Sequence, residues 1–312
     1  MYSKISAAIL GYALGEAFGL PLNYQSREKL LTNPVTKLTN LADLPIGTWS
    51  SGTSSILALL DAVIQKEKMD YNKIADNMVL WYKTAKYTAT DTLIDIDFTT
   101  KHALSKYFEL KIDAPKCGGD GYSDCGNEPL ARMIPVAFYL YYTKSRNYDI
   151  YSVVKNVTSI THQNEIAIMA SYIFTRYVLF LLHGKDKLAS YSMLKSLDYT
   201  LYFKNETIKE FDNILKNNVY IYSLERISSN NYIVDTLEAF FYCLINSASF
   251  KQALIGSVNL GNQASSLGGL TSAVAAIYYG YESIPKNLLD SLRKKDYLLE
   301  ASLKYENVLK IL

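Results

Sequence analysis

Residues 259–280 read NLGNQASSLGGLTSAVAAIYYG, and Ile284-Pro285 follows shortly after. Across 264–279 the apolar side chains recur at three- and four-residue spacing, which places them along one stripe of an α-helix. Gly261 and Gly268 allow tight backbone approach where that helix starts. Outward from this segment the same periodicity predicts helices over 54–65, 74–83, 130–142, 165–182 and 233–245. Alternating, strand-like runs are scarce, and residues 219–222 are the best of them. Pro21, Pro34, Pro45, Pro115 and Pro285 mark boundaries between segments. The chain reads as all-α.

Its 312 residues suit one compact helical domain, and no repeat, low-complexity tract or composition break divides residues 1–312. Apolar residues make up 49% and charged residues 20%, the balance of an ordinary globular protein. A net charge of +2 without a Lys/Arg run offers no footprint for nucleic acid. Cys117, Cys125 and Cys243 are too few for a disulfide framework, and no partner His stands at zinc spacing, so free thiols are expected. Residues 1–20 are apolar with an early Lys4, but Glu16 and three glycines interrupt the run and no small-x-small cleavage site follows. The apolar run 174–182 is too short to cross a bilayer. The expectation is a cytoplasmic protein with no membrane partner.

Two stretches read as long loops. Residues 25–49 are polar, with two prolines and a closing Gly47-Thr48-Trp49; residues 111–128, KIDAPKCGGDGYSDCGNE, show no periodicity. Loops of this length in a helical protein are usually functional or disordered. Residues 147–227 are the least informative part.

Five stretches, in order, carry a resemblance. The 259–280 segment resembles N-L-G-G-D-T-D-T-x-G-A-x-x-G-A-x-A-G-A-x-Y-G, the C-terminal signature of the ADP-ribosylglycohydrolase family, keeping Asn259, Leu260, Gly261, Gly268 and Gly280 in register. Residues 11–24, GYALGEAFGLPLNY, are similar to the family's G-x-A-x-G-D-A-L-G-x-P-x-E-F, and 47–57, GTWSSGTSSIL, to G-x-W-T-D-D-T-x-M-x-L. Residues 95–104, DIDFTTKHAL, are similar to D-I-G-x-T-T-x-x-A-L, and 126–135, GNEPLARMIP, to G-N-G-x-L-M-R-x-x-P. Thr161-His162 and 232–239, YIVDTLEA, are smaller echoes. The resemblance covers nearly the whole chain and implies a compact, all-α orthogonal helical bundle.

It also implies two Mg²⁺ ions that grip the ribose of an ADP-ribosyl group, held by Thr-Asp-Asp of one motif and Asp-x-Asp-Thr of the other. Here Ser50, Ser51 and Gly52 stand for the first set, and Gln263, Ala264, Ser265 and Ser266 for the second. All four carboxylates are gone. Hard dications need anionic oxygen, so these degenerate positions predict no Mg²⁺ pair and no other cofactor. Ligand contact is expected instead from Glu16, which replaces the aspartate of G-D-A, and from Ser50, Ser51, Gly52, Asp95, Gly126, Asn127, Gly261, Asn262, Gln263, Ser265 and Ser266.

Carboxylates elsewhere keep a catalytic reading open. A metal-free glycosidase needs two of them across one glycosidic bond, and Asp95 or Asp97 with Glu128 is the pair to test. The plainer reading of each is a solvated loop carboxylate or a helix cap. His162 reads as a hydrogen-bonded structural histidine rather than a general base, and Arg132 as a partner for phosphate or for a nearby carboxylate. Trp49 and Phe98 line either a base pocket or the core. Three functions follow: a catalytically degenerate protein that binds ADP-ribose, an ADP-ribosylated protein or an ADP-ribosyltransferase, as immunity-like family members would; a carboxylate-only hydrolase of an N- or O-glycosidic bond; or a structural protein that reuses the fold.

Overall fold

Short polar side chains set where the helices begin. Ser3, Asp70, Asp97, Asn164, Asp186 and Ser249 each accept a backbone N–H from the first turn of the helix that follows, satisfying donors that a helix start leaves unpaired. A computed structural model describes residues 3–312; Met1 and Tyr2 of the apolar N-terminal stretch lie outside the described residues. Twelve helices of nine residues or more result: α1 Lys4–Gly19, α2 Ser51–Lys66, α3 Tyr71–Thr84, α4 Phe98–Leu110, α5 Pro129–Tyr142, α6 Asn147–Ser159, α7 Glu165–Leu182, α8 Lys187–Lys195, α9 Ile233–Ile245, α10 Phe250–Val258, α11 Ala264–Tyr279 and α12 Lys295–Leu309. One hydrophobic cluster takes side chains from all twelve.

The predicted helices 165–182, 233–245 and 264–279 appear with those boundaries, and the other three extend by one to three residues at their ends. Helix α1 is buried along nearly its whole length, so it lacks the polar face that periodicity detects. The strand-like run at 219–222 is a single 3₁₀ turn, Val219–Ile221, and no strand occurs among the described residues. The Tyr191 hydroxyl fixes that turn by donating to the Ile214 carbonyl at 2.8 Å and accepting from the Val219 N–H at 3.4 Å.

Two helical stretches, Lys4–Leu22 and Glu165–Leu182, are long and apolar enough to cross a membrane, with mean hydropathies of 1.4 and 1.6. Inside the fold 94% and 83% of them is buried, so their apolar surface faces protein. All three cysteines are buried and free. Burial pushes the Cys125 thiol up to about 11 and the Cys243 thiol up to about 12, which keeps both protonated and unreactive.

At the centre, α1 lies against α11 at unusually short range. A Cβ on Gly15 would fall 2.1 Å from the Gly268 carbonyl oxygen, one on Gly19 2.2 Å from that of Ala264, and one on Gly11 2.8 Å from that of Ser272. Glycines every fourth residue on α1 therefore meet small residues every fourth residue on α11. Gly15→Ala forces these backbones apart and is expected to cost about 3 kcal/mol or more, at the upper end of overpacking effects. Gly256→Ala in α10, where an added Cβ meets nothing within 4 Å, is expected to stabilise by up to about 1 kcal/mol through helix propensity. Urea midpoints of the two variants check the contrast.

Candidate functional site

Helix α2 starts at Ser51 with its first N–H groups pointing at α1. The Glu16 carboxylate receives them: it accepts from Ser50 N at 3.0 Å, Gly52 N at 2.8 Å and Thr53 N at 3.0 Å, and from the Ser50 and Thr53 hydroxyls at 2.9 and 2.6 Å. A buried carboxylate at a helix N-terminus is stabilised both by these bonds and by the helix dipole. One turn earlier on α1, the Tyr12 ring is wedged between α2 and α11. A Cβ at Gly52 would lie 2.2 Å from the Tyr12 hydroxyl, and one at Gly269 2.8 Å from the ring. Burial first, then the charges of Glu16 and Glu128, push the Tyr12 phenol far above its ordinary range, against a smaller pull from Arg132. It is therefore a neutral hydroxyl at physiological pH.

Helix α11 starts beside the same ring. Asn23 accepts from Ser265 N at 2.9 Å and donates to the Ser265 hydroxyl at 3.0 Å. Asn23 stands at the glutamate of the quoted P-x-E-F motif, so a fifth carboxylate has been replaced by a neutral group. The quoted motif itself carries that signal.

The long loop 111–128 builds the floor. Gly118 N bonds to the Ser159 carbonyl and Gly119 N to that of Thr161, both at 3.0 Å, while Ile233 N bonds to the Cys125 carbonyl at 2.9 Å. The loop is thus tied to the end of α6 and the start of α9, and this brings Glu128 to His162. Glu128 Oε2 and His162 Nε2 are 3.2 Å apart, yet the geometry is not that of a hydrogen bond, and neither atom has another partner. Gly126 leaves the room: a Cβ there would fall 2.2 Å from Glu128 Oε2. His162 Nδ1 lies 2.8 Å from the Thr161 hydroxyl, which also accepts from buried Arg132. Asp97 caps α4 by accepting from Thr100 N at 2.7 Å. Donor atoms of Asp97, Glu128 and His162 all lie within 4.8 Å of one another.

Charge in this cluster is unevenly held. Burial, then the charge of Glu128, pushes the Asp97 carboxyl above its usual range despite His162 and Thr100. Burial opposes ionisation of Glu128 too, but contact with His162, its own backbone N–H and Asn231 outweigh it and hold that carboxyl below the usual range. Burial lowers Arg132 to about 10, with Asp97, Glu128 and Tyr12 resisting, so the guanidinium stays charged. Asp95 is raised by burial and by Asp97, Glu128 and Glu16.

These groups surround a cleft whose enclosed volume is about 30 Å³, lined among others by Tyr12, Ser51, Gly52, Asp97, Asn127, Glu128, Arg132 and Ser266. That is room for water but an order of magnitude below the ~300 Å³ of a small-molecule site. Asn127 Oδ1, Thr100 Oγ1 and Arg132 Nε are buried here without a partner.

The site residues expected from sequence divide sharply. Asp97, Glu128, Asn127, Ser51, Gly52 and Ser266 line the cleft. Glu16 and Ser50 lie behind it, closed into the α2 cap, and Ser265 is held by Asn23. Gly261, Asn262 and Gln263 instead join loops: Asn262 N bonds to the Gln25 carbonyl, its own carbonyl accepts from Tyr24 N, and Gln263 N bonds to the Ser229 carbonyl. Gly261 takes φ +75° with no room for a Cβ beside the Gln25 carbonyl. Gly126 lies under Glu128, and Asp95 is outside the lining. Trp49 is fully buried and donates to the Arg293 carbonyl at 2.9 Å, a core role. Phe98 belongs to neither expected place, being 79% exposed and stacked on His102. His162 does have partners of ligand type, which are carboxylates distant in sequence.

A Mg²⁺ pair does not fit these residues. Two dications ~4 Å apart repel by about 16 kcal/mol at an effective dielectric of 20. The helix starts that should counter this carry Ser51, Gly52, Ser265 and Ser266, the Glu16 carboxylate beside them is closed into a helix cap by five hydrogen bonds, and the Tyr12 ring occupies the gap.

Asp97 also generates a pH test. A raised carboxyl contributes stability that is complete below its unfolded pKa and lost as pH rises through the folded one. Asp97→Asn keeps an effective helix cap and removes the charge. Its melting temperature relative to wild type should therefore rise as pH goes from about 4 to 7, as read by thermal melts in matched buffers.

Comparison with known proteins agrees with the resemblance in the motifs. A family model described as ADP-ribosylglycohydrolase matches residues 1–310. The chain is 27% identical over 296 residues to the ADP-ribosylarginine hydrolase Tri1 of Serratia proteamaculans (strain 568), covering 94% of this chain and 76% of that protein. It is 24% identical over 300 residues to the ADP-ribosyl-[dinitrogen reductase] glycohydrolase of Rhodospirillum rubrum, covering 95% and 92%. A solved structure described as an ADP-ribosylglycohydrolase-related protein complex superposes with a TM-score of 0.80 at 21% identity, over 98% of this chain and 97% of that one. That last likeness bears on the fold alone.

Proposed function

The chain belongs to the ADP-ribosylglycohydrolase family, and from that premise we propose that it recognises ADP-ribose, an ADP-ribosylated protein or an ADP-ribosyltransferase without Mg²⁺-dependent hydrolysis. Its relatives are hydrolases of ADP-ribosylarginine and of ADP-ribosyl-dinitrogen reductase, and the linkage class carried over is ADP-ribose on a protein side chain. One observation carries the reading: where the starts of α2 and α11 converge, Tyr12 fills the space against Gly52 and Gly269. The Glu16 carboxylate at that gap is spent on the α2 cap, and the enclosed 30 Å³ has no seat for a furanose ring beside Asp97 and Glu128. Turnover in this family requires the ribose held there by metal; recognition across the mouth of the cleft does not.

Thermal melts with ADP-ribose, with and without Mg²⁺, test this. Ligand at about 100 times its Kd should stabilise by about 2.7 kcal/mol, equally in both buffers, and Mg²⁺ alone should do nothing. Mg²⁺-stimulated release of ADP-ribose from a modified protein would overturn the proposal.

The opposed shifts of Asp97 and Glu128 favour one second reading, metal-free hydrolysis with Asp97 as acid and Glu128 as nucleophile. Their donor atoms, within 4.8 Å, are closer than the ~6.5–9.5 Å of inverting glycosidases and nearer the ~5 Å of retaining ones. The expected outcome is no turnover at any pH in chelator. A bell-shaped pH–rate profile abolished by Asp97→Asn and by Glu128→Gln would establish the second reading in its place.

A further inference from the structure

His162 is fully buried, and its Nδ1 is engaged by the Thr161 hydroxyl at 2.8 Å. His162 Nε2 lies 3.2 Å from Glu128 Oε2, and neither atom has a hydrogen-bond partner. Two buried polar atoms this close and both without a partner leave room for a shared ligand. Two donors ~2.0–2.1 Å from one tetrahedral Zn²⁺ are themselves about 3.3 Å apart, so the spacing suits ligands of a shared ion. Asp97 brings a third donor into the same 4.8 Å group; one of its oxygens caps α4, leaving the other for a ligand.

Asn127 supplies an independent sign. Its Nδ2 is fixed by donation to the Thr236 hydroxyl at 2.9 Å, which orients the amide and leaves Oδ1 buried and without a partner in the lining of the cleft. A buried acceptor at a polar cavity asks for a water or an ion's water, and about 30 Å³ accommodates it. Arg132 lines the same cleft and donates to the Thr161 hydroxyl.

We infer that Asp97, Glu128 and His162 bind a single first-row transition-metal dication, completed by water. One imidazole with two carboxylates suits Zn²⁺ or its neighbours, whereas Mg²⁺ and Ca²⁺ prefer oxygen alone. Thr161 engages Nδ1 and so orients the imidazole, a support typical of metal-bound histidines. This centre differs in ion, number and ligands from the Mg²⁺ pair of the family, and it stands whether or not the cleft recognises ADP-ribose.

The test uses the full chain stripped with a chelator and titrated with ZnCl₂ by calorimetry, alongside thermal melts in Zn²⁺ or Mg²⁺ and absorption spectra in Co²⁺. Expected are one Zn²⁺ per chain, a higher melting temperature in Zn²⁺ but not in Mg²⁺, and visible Co²⁺ d–d bands. Asp97→Asn, which retains the helix cap, and Glu128→Gln should each weaken Zn²⁺ by about tenfold or more, and His162→Ala should abolish the Co²⁺ bands. No Zn²⁺ stabilisation of the wild-type chain, or Zn²⁺ affinity unchanged in folded Asp97→Asn and Glu128→Gln, overturns the assignment. ADP-ribose is absent from every arm, so failure here and failure of the recognition reading are separate results.

Discussion

Two helix backbones nearly touch where Gly11, Gly15 and Gly19 of α1 meet Ala264, Gly268 and Ser272 of α11, and the cleft is a consequence of that contact. Helices packed without intervening side chains cannot slide or rotate past one another, because each carbonyl sits in a notch left by a missing Cβ. The neighbouring face of α1 is thereby aimed. Tyr12 and Glu16, one turn apart, project to the start of α2, and the start of α11 is carried to the same place. A metal pair, a tyrosine wedge or an open pocket could each be built there; the chain has the wedge.

Electrostatics explains why the wedge is stable. Two helix starts pointing into one cavity present several unpaired N–H groups and the positive ends of two dipoles. In the family pattern, aspartates and Mg²⁺ settle that field. Here the aspartates have become serine, glycine and glutamine, and the field is answered from α1 and the turn after it: the Glu16 carboxylate closes α2 through five hydrogen bonds, and the Asn23 amide closes α11. The neutral Tyr12 hydroxyl then fills the remaining gap with no charge to compensate. Side chains of the chain itself thus satisfy both helix ends.

The floor of the cleft has kept what the roof has lost. Asp97, Glu128, His162 and Arg132 are brought together from three separate segments, and burying such groups is unfavourable unless they are paired with one another or with something bound. Partnerless atoms on Asn127, Thr100 and Arg132 fall in the same place. A fold reduced to a scaffold gains nothing from that concentration of buried polarity, which is why a binding role fits the protein better than a purely structural one.

Much of this was legible in residues taken one after another. The three-to-four periodicity of 264–279 and 165–182 marks helices because only an α-helix gathers that spacing on one face, and the loss of four carboxylates is a matter of residue identity. Helix α1 escaped periodicity because all its faces are buried. Only the folded chain determined what surrounds the two helix starts: the Tyr12 ring over Gly52 and Gly269, the Glu16 cap on α2, the Asn23 bonds to Ser265 on α11, and the meeting of Glu128 with His162 through a loop that carries no local pattern. Sequence spacing reports which residues share a face of one helix. Which faces meet depends on how closely two backbones approach, and that is settled by steric fit between residues some 250 positions apart.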